Sequence, residues 1–99
     1  MKKQKMDKRK IVRTYSAGVF FGEVVKRTGK EVVMRNARRL WYWSGAASLS
    51  QLATTGTSDP SSCKFPAPMP ELTLTESVEI IGVTATAAAS IDGVATWTA

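Results

Sequence analysis

The chain has 99 residues, of which 43% are hydrophobic and 22% charged, with a net charge of +6; this leaves room for one modest core and excludes a disordered polyelectrolyte. A single cysteine, Cys63, and no histidine exclude an internal disulfide framework and make a Cys/His zinc site untenable. No apolar run approaches the roughly 18 residues of a membrane span, and no long apolar stretch follows the basic start, so cytoplasmic residence without membrane contact is expected.

Charge is unevenly spread. Residues 1–43 carry thirteen Lys/Arg and three acids, whereas 44–99 carry one Lys and five acids, which predicts an electrically polarised molecule. Lys2, Lys3, Lys5, Lys8, Arg9 and Lys10 surround a single Asp7. Residues 1–10 therefore read as a flexible basic tail, serving either as an arm for nucleic acid or an acidic partner, or as a solubilising terminus. The remaining residues, 11–99, read as a single compact domain.

Between Ile11 and Val25, β-forming residues are interrupted by Gly18 and Gly22, which predicts two short strands bent at glycines. Thr28-Gly29 supplies a turn into a second arm, Glu31 to Trp43, completing a hairpin. Alternation is lost through Asn36, Ala37, Arg38 and Arg39 and returns at Leu40, so a bulge or break is expected near Asn36. Leu49, Leu52 and Ala53 recur at helical spacing, Ser48 with Gln51 forms a capping box, and Gly56 is a natural helix end.

Residues 57–70 hold all four prolines and read as a long, stiff loop anchored by Phe65 and Met69. Glu71 to Val83 reads as one strand or two. Thr84 to Ser90 forms an alanine-rich turn or short helix closed by Asp92-Gly93, with little contact to the first helix. Val94 to Ala99 adds an edge strand with Trp97 tucked in. The fold class is α+β: a small antiparallel β-sheet or partly open barrel with one or two short helices.

The densest chemical feature is Arg35-Asn36-Ala37-Arg38-Arg39-Leu40-Trp41-Tyr42-Trp43. Guanidiniums make bidentate hydrogen bonds to phosphate, and adjacent aromatics offer faces for a nucleobase. Strand alternation should point Trp41 and Trp43 the same way and Tyr42 the other. The candidate ligand-binding residues are Arg35, Arg38, Arg39, Trp41 and Trp43, with Arg13 and Tyr15 extending the patch if the first strand lies beside it. The competing reading is structural, a solvated basic face and aromatics used for core or subunit contacts.

Catalysis finds little support. Acid–base work without His would fall to carboxylates or Lys, and Glu71, Glu76 and Glu79 read more simply as solvated surface. Gly18-x-x-x-Gly22 lacks the Lys-Ser/Thr ending of a phosphate loop. Cys63 has no His partner to activate it. No catalytic residue, metal or cofactor is therefore expected.

In its blocks Ile11 to Val19, Asn-Ala-Arg-Arg-Leu-Trp-Tyr-Trp at 36–43, Gly45 to Ala53 and Thr75 to Ile81, the chain resembles a family of short tailed-phage and prophage proteins catalogued only as a domain of unknown function. The resemblance implies a phage origin and transfers no activity. In that setting the residues suggest a non-catalytic, homo-oligomeric sponge that sequesters a nucleotide second messenger of host antiviral defence, cyclic or ADP-ribose-derived, in the host cytoplasm. The alternatives are a virion-associated capsid or tail accessory protein, and a non-specific nucleic-acid binder acting through its basic tail.

Overall fold

A computed structural model describes residues 4–98. Five strands, β1 (Met6–Thr14), β2 (Val19–Thr28), β3 (Glu31–Arg39), β4 (Met69–Leu74) and β5 (Ser77–Thr84), form one antiparallel sheet in the order β4-β3-β2-β1-β5. Two helices accompany it, α1 (Leu49–Thr55) and α2 (Ala85–Asp92), with a 3-10 turn at Pro60–Ser62. No helix among the described residues is long and apolar enough to cross a membrane.

The segment expected as one strand or two is two strands lying at opposite edges of the sheet. Leu74 pairs with Val32 on one edge and Ser77 with Thr14 on the other, yet three residues of chain span about 10 Å at most. A flat five-stranded sheet would separate its edges by roughly 19 Å. The sheet must therefore coil until its edges meet at that end, without closing into a barrel.

Coiling gives the sheet two apolar faces. Val12, Phe20, Val32, Met34, Ala37 and Leu74 fill the inside of the curl. Ile11, Phe21, Leu40, Leu52, Phe65, Val83, Ala87 and Ile91 form the core between the sheet and the helices. Paired positions alternate between them, since Ile11 lies opposite Phe21 and Val12 opposite Phe20, as strand periodicity requires.

The bulge expected near Asn36 is present. Phe21 pairs with Arg38 but Glu23 with Arg35, so β3 carries an extra residue opposite Gly22. Asn36 has φ 50°, a left-handed value that Asn tolerates better than most residues. A Cβ on Gly22 would lie 2.8 Å from Ala37 Cα and 2.9 Å from the Asn36 carbonyl, so only glycine admits the bulge here. The extra residue reverses the parity of everything after it. Val32 and Met34 face the inside of the curl, but after the bulge Ala37 does so, while Arg38 and Leu40 turn toward the helices.

Helix α1 follows its sequence signals. Ser48 Oγ accepts from the Gln51 N–H, the Gln51 side chain accepts from the Ala47 N–H, and Gly56 ends the helix at φ 80°. The two helices do pack together, contrary to expectation: both supply the outer core, and the Thr57 N–H donates to Ser90 Oγ at 3.0 Å. Phe65 anchors the proline loop in full burial and Met69 packs inside the curl. Among the described residues of the chain end, 94–98, there is no strand, only a bridge between Thr96 and Phe65, and Trp97 is exposed and not tucked in.

The basic start also needs correction. Met6–Lys10 are part of β1, with Met6 opposite Thr84 and Lys10 opposite Gly82; of the anticipated tail, residues 1–3 lie outside the described residues. Folding sets basic strands against the acids of the second half. Arg13 bonds Glu79 at 2.9 Å, Arg35 lies 3.8 Å from Glu71, and Arg9 bonds both Asp7 and Asp92. The two halves interleave, so three of the cations of the first half face acids of the second.

The side-chain hydrogen bond from Arg9 is the main cause that lowers the Asp7 pKa from 3.8 to about 2. A carboxylate depressed in the folded state stabilises above its unfolded pKa and loses that contribution as pH falls through the folded value. Asp7→Asn should therefore cost about 1 kcal/mol at neutral pH, after allowing for solvent screening. The difference from wild type should shrink between pH 4 and pH 2. Urea titrations across that range test this, and a pH-independent difference would remove the ion pair as its cause.

Candidate functional site

Beyond Arg39 the chain leaves the sheet. The Leu40 N–H still donates to the Val19 carbonyl at 2.8 Å, after which Trp41 to Trp43 run beside the middle of the proline loop. Tyr42 and Lys64 exchange backbone hydrogen bonds, and the Trp97 N–H donates to the Phe65 carbonyl at 3.0 Å. Three segments far apart in sequence thereby lie side by side.

Arg38 locks them. It is the one buried arginine among the described residues, and its guanidinium donates to the carbonyls of Phe65, Pro66, Ile91 and Val94 at 2.7 to 3.1 Å. Burial lowers its pKa, but four carbonyl dipoles surround the charge, and the guanidinium lies 5.4 Å from the Phe65 ring centre. With four of five N–H donors taken internally, Arg38 is a clamp within the fold and not the phosphate ligand proposed from sequence.

Arg39 has the opposite fate. One residue on, it projects to the other face of β3, at the mouth of the curl over the Phe20 ring at 4.6 Å, with one N–H donated to the Ala17 carbonyl at 3.2 Å. From there it lines a groove of about 340 Å3 with Trp41, Trp43 and the β1–β2 turn Ser16–Val19. Trp41 is 57% exposed, whereas Trp43 packs partly onto the outer core. Trp41 and Trp43 thus share one groove, and its volume falls in the range of small-molecule sites.

The other candidates are not brought there. Arg13 and Arg35 each face a carboxylate on a neighbouring strand, with which a phosphate would have to compete. Tyr15 is exposed just before the β1–β2 turn and does not line the groove.

A second aromatic feature adjoins the groove. Trp41 stacks on Trp97, with ring centres 5.0 Å apart and planes 11° from parallel. The Lys64 ammonium lies 5.6 Å from the Trp41 ring centre and 5.8 Å from those of Trp97 and Tyr42. Lys64 and Trp97 escaped the sequence reading because each stands alone in a polar stretch; only the bridges to Tyr42 and Phe65 bring them together.

Cys63 is buried, its sulfur within 3.5 to 3.6 Å of polar atoms of Ser44, Thr57 and Asp59. Among the described residues no group of three or more His, Cys, Asp or Glu could hold a metal ion.

Residues 7–91 match the model of a protein family described as a domain of unknown function, DUF6948. The chain belongs to the DUF6948 family. No curated protein and no solved structure matches it. The span matched to DUF6948 contains Arg39, Trp41, Trp43 and Lys64 and ends before Trp97.

Proposed function

We propose that this DUF6948 protein is a non-catalytic binding protein that captures a nucleotide in the groove between the β1–β2 turn and Trp41–Trp43. The observation that carries this reading is the gathering of Arg39, Trp41 and Trp43 around one groove of about 340 Å3. Arg39 has spent one donor and faces no carboxylate among the described ion pairs, so it is the cation for a phosphate. Trp41 presents a stacking surface.

Together with the resemblance to short phage proteins, such capture makes the protein a sponge. It would work in the host cytoplasm as a homo-oligomer, holding a cyclic or ADP-ribose-derived second messenger away from its receptor. Stacking and phosphate contacts suffice for that role, and no bond need be made or broken.

Calorimetric titration with these nucleotides tests the reading. Trp41→Ala and Arg39→Ala should each weaken binding on the order of tenfold or more, at unchanged fold. Full binding by both folded variants would place the ligand elsewhere.

The exposed aromatic surface of Trp41, Tyr42 and Trp97 favours a second reading, a capsid or tail accessory protein that packs these rings against a neighbouring subunit. Co-purification with virions, with no nucleotide bound, would select it. Affinity for any nucleic acid that collapses as salt rises would instead select non-specific binding through the basic N-terminal strand.

A further inference from the structure

Trp41 belongs to two features at once: it walls the Arg39 groove, and it stacks on Trp97. The position of Lys64 shows how that stack can be used. Its ammonium is nearly equidistant from the two indole centres, at 5.6 and 5.8 Å, while the centres are 5.0 Å apart. A cation over the outer face of either ring would be much farther from the other. Lys64 therefore sits at the flank of the pair and caps neither outer face. It enters none of the ion pairs among the described residues. Trp97 is 39% exposed.

We infer that Trp97 and Lys64 form a second base-and-phosphate subsite contiguous with the groove, so that the ligand is a dinucleotide: two nucleosides joined through phosphate. This rests on the reading of the Arg39 groove as a nucleotide site. One base stacks in the groove beside Trp41 and the other on Trp97, with the linking phosphate drawn to Lys64. Because the indole pair stands between them, the two bases are splayed apart and do not stack on each other, an arrangement that proteins recognise through aromatic faces.

The subsite is held rigid before any ligand arrives. The Phe65 carbonyl, next to Lys64, accepts from both the Trp97 N–H and the Arg38 guanidinium. Arg38 also grips Val94, three residues before Trp97. Preorganisation of this kind reduces the ordering cost of binding.

The test is isothermal calorimetry of the intact protein with three probes: adenosine monophosphate, linear 3′,5′-linked diadenosine monophosphate and cyclic di-adenosine monophosphate. At least one dinucleotide should bind on the order of tenfold or more tighter than the mononucleotide, as expected for one additional stacked base. Trp97→Ala and Lys64→Ala should each reduce the ratio of dinucleotide to mononucleotide affinity by about tenfold, in variants that circular dichroism shows to be folded. Preference for the cyclic over the linear probe would assign the ligand to free ring-closed dinucleotides, and the reverse to a nucleic-acid strand.

Mononucleotide binding with no gain from either dinucleotide would overturn the second subsite and leave the groove reading intact. A gain that survives both substitutions would likewise remove Trp97 and Lys64. No binding of any probe would overturn both readings.

Discussion

Replacing Arg38 with Met should lower the stability of the domain by about 3 to 5 kcal/mol, a large part of the roughly 5 to 15 kcal/mol available to a domain of this size. Met fills much of the same volume but donates nothing, and the carbonyls of Phe65, Pro66, Ile91 and Val94 would lose a common partner. Arg38→Lys should recover only a fraction, because an ammonium is a compact charge and cannot reproduce the planar fork. The urea midpoint followed by circular dichroism measures this. If Arg38→Met unfolds within 0.5 kcal/mol of wild type, an order set by ordinary surface changes, the clamp is not structural. The same variant should also weaken nucleotide binding, because the carbonyls it releases flank Lys64 and precede Trp97.

The second large effect is expected at Gly45. Its φ is +80°, and a Cβ there would lie 2.6 Å from Thr57 Oγ1 and 2.8 Å from the Ser58 N atom. Those atoms are not free to retreat: the Ser58 N–H donates to the Gly45 carbonyl, and Thr57 Oγ1 donates to the Ser44 carbonyl. Gly45→Ala should cost about 2 to 4 kcal/mol through left-handed strain and collision together. Gly29 separates the two causes. It has φ +60° but open space around its Cα, so Gly29→Ala should cost only about 1 kcal/mol. Equal thermal midpoints for the two variants would show that the packing of the 57–59 segment on Gly45 contributes nothing.

Local signals in the sequence carried much of the fold. Ser48, Gln51 and Gly56 bound a helix because they satisfy its end groups within a few residues, and Thr28-Gly29 makes a hairpin turn for equally local reasons. The lost alternation at Asn36 marked the bulge. What it could not show was the sense of the reversal, because that depends on which face of β3 the helices cover. For this reason Arg38 and Arg39, adjacent and chemically identical, were both assigned to a ligand, although one enters the core. Arginine is rarely buried unless its donors are met, and the four acceptors come from segments about thirty to fifty residues away.

The charges of Met6–Lys10 suggested a tail for a similar reason. Their strand character comes from β5, more than seventy residues on, whose pairing no local propensity announces. The groove itself was partly legible in that Trp41 and Trp43 both line it, but the chain has left β3 by then and Lys64 lies beside the rings of both Trp41 and Tyr42, so strict alternation does not hold. Lys64 and Trp97 were not legible, because a lone cation and a lone aromatic acquire meaning only from neighbours that tertiary structure supplies.

The two-residue link between opposite sheet edges also bears on how the chain acquires its structure. β1, β2 and β3 can pair as soon as they exist, but the other edge of β1 must wait for β5, and the clamp carbonyls at Ile91 and Val94 arrive later still. Ordering of this kind, dominated by partners distant in sequence, places the domain among slow folders. Until β5 and α2 are in place, Ile11 and Phe21 lack their helical cover and β1 lacks its second neighbour. A chain without β5 would expose the free edge of β1 in that interval, a template for pairing with other chains.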